Sequence, residues 1–79
     1  MTREYSFQKK VKDEQIAEIL KDAEGLEGLQ KIVITEDHMA LQVTAEDGDF
    51  QYIMERLLNI VSRVAGGQWI SFKRFVYED

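Results

Sequence analysis

Between Phe50 and Ala65 the apolar residues Phe50, Ile53, Met54, Leu57, Leu58, Ile60, Val61 and Val64 recur at intervals of three and four. This spacing predicts a helix over 50–65 with one broad apolar stripe. Asp47 and Asp49 stand just ahead of it, where a side-chain oxygen can cap free backbone N–H groups. Gly66 and Gly67 follow, where a left-handed residue is expected to end the helix. A stripe this wide needs a partner layer, and the flanking segments supply one in the form of predicted strands.

Residues 3–9 alternate, with Tyr5 and Phe7 on one side and Glu4, Ser6 and Gln8 on the other, the period of a half-buried strand. Lys9, Lys10 and Lys12 make a basic connection. Asp13 is a candidate N-cap for a helix that carries Ile16, Ile19, Leu20 and Ala23 on one face and stops at Gly25. Leu29–Thr35 is rich in β-branched residues and reads as a second strand. After Glu36 and Asp37, a third strand over 38–45 places Met39, Leu41, Val43 and Ala45 on one face and His38, Ala40, Gln42 and Thr44 on the other. The link is short enough for a hairpin. A final strand over 68–77 puts Ile70, Phe72 and Val76 on one face and Trp69, Ser71, Lys73, Phe75 and Tyr77 on the opposite one.

The order βαββαβ, with right-handed crossovers, specifies an α+β ferredoxin-like sandwich. It has a four-stranded antiparallel sheet of spatial order 4-1-3-2 and two helices on one face. No linker or low-complexity segment interrupts residues 1–79, so a single domain is expected. The core is expected to contain Tyr5, Phe7, Ile16, Ile19, Leu20, Ile32, Ile34, Met39, Leu41, Val43, Phe50, Ile53, Met54, Leu57, Val61, Ile70 and Phe72.

Composition narrows the function more by exclusion than by selection. Fifteen acidic residues outnumber ten basic ones, for a net charge of −5. A nucleic-acid-binding face needs basic residues to displace counterions from phosphates, so no nucleic-acid partner is expected. The aromatic stacking platform of RNA-binding sheets is also missing from the open faces of the first and third strands, where Glu4 stands instead. No apolar run approaches the ~20 residues of a membrane span. The first residues, MTREYSFQKK, lack the apolar core of a signal peptide. With no cysteine there is neither a disulfide nor a thiolate ligand. A cytoplasmic location and no membrane partner are therefore expected.

No catalytic set emerges. Ser6, Ser62 and Ser71 have only His38 as a possible imidazole base, and no Gly-rich phosphate loop precedes a helix. Zinc or copper needs three or four convergent ligands, whereas Glu36, Asp37 and His38 are neighbours in a tight turn. No enzyme activity, cofactor or metal is expected. What stands out is the fourth strand, where Trp69, Ser71, Phe75 and Tyr77 would form an aromatic contact surface if the strand runs without a bulge. The expected partner is another protein or a second copy, meeting the open sheet face or the edge of that strand.

Three segments carry a family resemblance: EGLEGLQKIVIT (24–35), HMALQVTAEDGDFQYIMERLLNIV (38–61) and GGQWISF (66–72). They resemble the second strand, third strand with second helix, and final strand of the heavy-metal-associated domain, the small fold of copper chaperones and metal-ATPase N-termini. That family binds metal through Cys-x-x-Cys after its first strand. In the matching window, FQKKVKDEQ (7–15), Lys12 and Gln15 fall near the thiol positions. The resemblance implies the fold. It also implies a relative whose metal binding is weak or lost, as the alternative to an interaction module with a regulatory role.

Overall fold

The computed structural model describes residues 1–77. Its elements follow the predicted order: β1 (Thr2–Phe7), α1 (Asp13–Ala23), β2 (Lys31–Ile34), β3 (Ala40–Thr44), α2 (Phe50–Val64) and β4 (Ile70–Val76). The sheet is antiparallel throughout, ordered β2-β3-β1-β4, which is the expected order counted from the other edge. β1 and β3 are central and β4 is an edge strand.

Amphipathic patterning places the layers. Ile53, Leu57 and Val61 of α2, Ile19 of α1 and Leu41 and Val43 of β3 are fully enclosed in one continuous core with Tyr5, Phe7, Phe50 and Ile70. Ile16, Ile32, Ile34 and Met54 are half-buried against it, and Leu20 is half-buried. Val11, at 1% exposure, joins the core from the connection after β1.

Two expected core residues lie outside. Met39 is 38% exposed because the hairpin turn is longer than two residues. The His38 N–H donates to the Thr35 carbonyl at 2.9 Å, and His38 takes φ 61°, so the chain enters β3 only at Ala40. Met39 is left in the turn, its N–H donating to Asp37 Oδ1 at 3.0 Å. Phe72, at 51% exposure, sits at the sheet edge beyond the helices' cover.

The helix ends also differ in detail. Asp13 is the first helical residue of α1 rather than its cap; the Gln15 side chain closes the end by accepting from the Lys12 N–H at 2.9 Å. Neither Asp47 nor Asp49 caps α2 by side chain, because a short 3-10 turn over Asp47–Asp49 leads into it. Asp49 packs against Gly28 instead. Gly28 has φ 88°, and a Cβ there would come within 2.9 Å of the Asp49 carboxyl carbon. α2 ends as expected through left-handed Gly66, with the Gly67 N–H returning to the Ser62 carbonyl at 2.7 Å.

Candidate interaction surface

β4 pairs with β1 in two registers. Ile70, Ser71 and Phe72 lie opposite Phe7, Ser6 and Tyr5, whereas Arg74, Phe75 and Val76 lie opposite Glu4, Arg3 and Thr2. Lys73 is the extra residue of a β-bulge, and past it every side chain of β4 changes face. Trp69 and Ser71, ahead of the bulge, keep the open-face alternation read from the sequence. Phe75 and Tyr77, beyond it, turn to the helix-layer side, and Val76 turns away from it. The strand therefore does not run without a bulge, and the four residues divide between two faces.

Glu4 fastens the bulge. It is central on the open face, and its side chain is only 4% exposed, covered by neighbouring side chains rather than by the core. Gln42 Nε2 donates to Glu4 Oε1 at 2.8 Å. Arg74 Nη2 lies 3.3 Å from Oε1, and Lys73 Nζ lies 3.4 Å from Oε2. Hence two consecutive cations reach one carboxylate from the same face, which regular alternation forbids and a bulge permits. The Gln42 hydrogen bond, aided by Arg74 and Lys73 against the opposing push of burial, holds the Glu4 carboxyl below its ordinary pKa.

The helix-layer side of β4 carries an aromatic row. Buried Tyr5 meets Phe72 edge-on at 5.8 Å, Phe72 meets Phe75 at 5.1 Å, and Phe75 meets Tyr77 at 6.5 Å between centroids. Phe72, Phe75 and Tyr77 are 51%, 41% and 84% exposed. Arg3, opposite Phe75, lays its guanidinium 4.1 Å above the Phe50 ring and 5.6 Å from that of Phe75. On the other side of the strand Trp69 is 57% exposed, beside the Gln8 and Gln68 side chains that tie β4 to the end of β1.

The role of Arg3 and the position of the bulge escaped the sequence reading, though both had signals. Arg3 shares the alternation of Tyr5 and Phe7, which puts a cation on the core side of β1. In Ile70–Val76 the apolar interval lengthens from two, Ile70 to Phe72, to three, Phe72 to Phe75, across Lys73–Arg74, the mark of one inserted residue.

The connection after β1 is held by means other than metal. Val11 plugs into the core, its N–H donating to the His38 carbonyl and its own carbonyl meeting His38 Nδ1, both at 3.0 Å. His38 Nε2 lies 3.6 Å from Asp13 Oδ1. The Gln15 oxygen is occupied by the Lys12 N–H, and Lys12 is an exposed cation. Among the described residues no three His, Asp or Glu side chains converge on a metal position. This donor set does not fit a thiolate-bound copper ion. Nor does any helix of the described residues have the length and apolarity to cross a membrane. A shallow depression of about 320 Å³ lined by Met1, Thr2, Thr44, Val76 and Tyr77 contains no acid–base pair.

No family model matches the sequence, and no curated protein does. Solved structures do match. The yeast copper transporter domain Ccc2a, known in apo and Cu(I)-loaded states, superposes with a TM-score of 0.67 at 16% identity, covering 95% of this chain and 97% of that one. The copper(I)-loaded first domain of the human copper chaperone for SOD1 gives 0.64 at 21% identity, over 95% and 94%. The apo HMA domain of a copper chaperone for superoxide dismutase gives 0.63 at 19% identity, over 99% of this chain and 71% of that one. The chain thus has the ferredoxin-like fold of heavy-metal-associated domains without their Cys-x-x-Cys motif.

Proposed function

We propose that this chain is a small non-catalytic interaction module that docks a protein partner along β4, with a regulatory rather than chemical role. One observation carries the reading: exposed aromatics flank one sheet edge on both sides, with Trp69 just ahead of β4 beside exposed Ser71 on one face, and Phe72, Phe75 and, just past the strand, Tyr77 on the other. Aromatics bury ~150–250 Å² each when covered, and interface anchors are drawn from them. A cytoplasmic setting belongs to the same reading, since the Cys-free chain needs no oxidising compartment.

The test places a photocrosslinker at Ser71 and, as a control, at exposed Lys21 on α1. Partners captured from Ser71, absent from Lys21 and lost in a Trp69→Ser, Phe75→Ser double variant with a native circular dichroism spectrum, support the reading. Equal capture from both positions refutes it.

A second reading, a heavy-metal-associated domain with weak or lost metal binding, draws on the likeness to copper domains. His38 and Asp13 are the groups that would serve a weak site. Titration with Cu(I) or Zn(II) followed by NMR tests the weak site: shifts confined to residues 9–15 and 38 at micromolar metal support it, and an unchanged spectrum removes it.

A further inference from the structure

Arg3 is the unexplained group of the aromatic face. Its guanidinium lies between the Phe50 and Phe75 rings, its Nε is buried without a hydrogen bond, and it joins none of the ion pairs among the described residues. Among the described residues Arg63, Lys73 and Arg74 find carboxylates, and Arg3 does not. Two rings hold the fork in place, so little side-chain entropy remains to be lost when its terminal nitrogens meet an acceptor. A planar fork of N–H donors matches a carboxylate in bidentate fashion. Beside it runs the exposed row Phe72, Phe75 and Tyr77.

We propose that Arg3 and this row form a receptor for a partner segment that presents a carboxylate flanked by apolar side chains. This rests on the reading of β4 as the docking surface and adds the chemistry of what docks. The carboxylate takes the Arg3 fork and the flanking side chains cover the rings. Charge complementarity favours this occupant over the others. A basic segment would meet the like charge of Arg3. A second copy brings another net charge of −5, and its β4 would have to pair across a bulged edge guarded by Lys73.

The experiment titrates the ¹⁵N-labelled chain of residues 1–79 with acetyl-Val-Glu-Phe-amide and with its Gln twin. It follows the backbone amides and the Arg3 Nε–H signal. The expected result is that the Glu peptide shifts Arg3 Nε–H together with Phe72 and Phe75, with the Gln twin at least about tenfold weaker, the scale of one charge-assisted hydrogen bond. Arg3→Gln should erase the difference between the peptides, and Arg3→Lys should restore only part of it. Equal binding of both peptides at β4 overturns the carboxylate inference and leaves the docking reading standing. No binding of either, or shifts centred on Lys9–Lys12, also overturns the inference, while the crosslinking test judges docking separately. A concentration-dependent Arg3 signal without peptide assigns the face to a second copy, and its displacement on removing residues 78 and 79 assigns it to the chain's own end; either overturns the proposal. Should Arg3→Gln fail to fold, the two peptides on the native chain still decide.

Discussion

Glu4→Gln tests the electrostatic account of the bulge. The substitution keeps shape and one acceptor oxygen, so the Gln42 contact survives in neutral form while the charge that Arg74 and Lys73 share is lost. Both cations are more than half exposed, and their 3.3–3.4 Å separations from Glu4 exceed those of ideal charge-assisted bonds. Each pair therefore deserves the surface value of roughly 0.2–1 kcal/mol. Weakening the buried Gln42 bond adds about 0.5–1 kcal/mol. The variant should lose roughly 1–3 kcal/mol at neutral pH, or some 4–24 °C in Tm for a domain of this size, at about 4–8 °C per kcal/mol. Because the folded carboxyl titrates below its ordinary value of 4.5, the unfolded chain takes up the proton first as pH falls. Glu4's contribution is thus fully present above about 4.5 and is lost as pH falls through the lower folded value. Urea unfolding by circular dichroism at several pH values should show the gap between native and variant closing in acid. A gap that stays constant into acid, or a neutral-pH difference under about 0.3 kcal/mol, would refute the claim that the Glu4 charge fastens this strand.

Further outcomes follow from the packing and the backbone. Deleting Lys73 removes the extra residue and leaves Arg74 following Phe72 in regular alternation, so Phe75 should stay opposite Arg3; its nuclear Overhauser contacts to Phe72 and Arg3 should persist, and their loss would show that Lys73 is not the inserted residue. Leu57→Ala empties a fully buried site and should cost roughly 2–5 kcal/mol in denaturant unfolding. A loss under about 0.5 kcal/mol would remove Leu57 from the centre of the core. Gly28→Ala forces a side chain into φ 88° against Asp49 and should cost about 1–3 kcal/mol; a stabilised variant would mean that the loop relaxes freely.

The periods of the pattern decided the architecture. The stripe of α2 and the alternation of β1 and β3 select their elements because each leaves one apolar face that only the other layer can cover. Those repeats are local, so they were legible along the chain, as was the left-handed exit at Gly66. The faces of β4 were not, because they depend on contacts between residues far apart in sequence. Glu4, near the start of the chain, draws in both Lys73 and Arg74, and one inserted residue then reverses Phe75 and Tyr77. Met39 and Val11 make the same point. A left-handed His38 holds Met39 out in the turn, and the His38 carbonyl and ring fix Val11 so that it enters the core. Periodicity says that a side chain alternates; the tertiary structure says where the count slips, and in this protein the slip places the aromatic row beside Arg3.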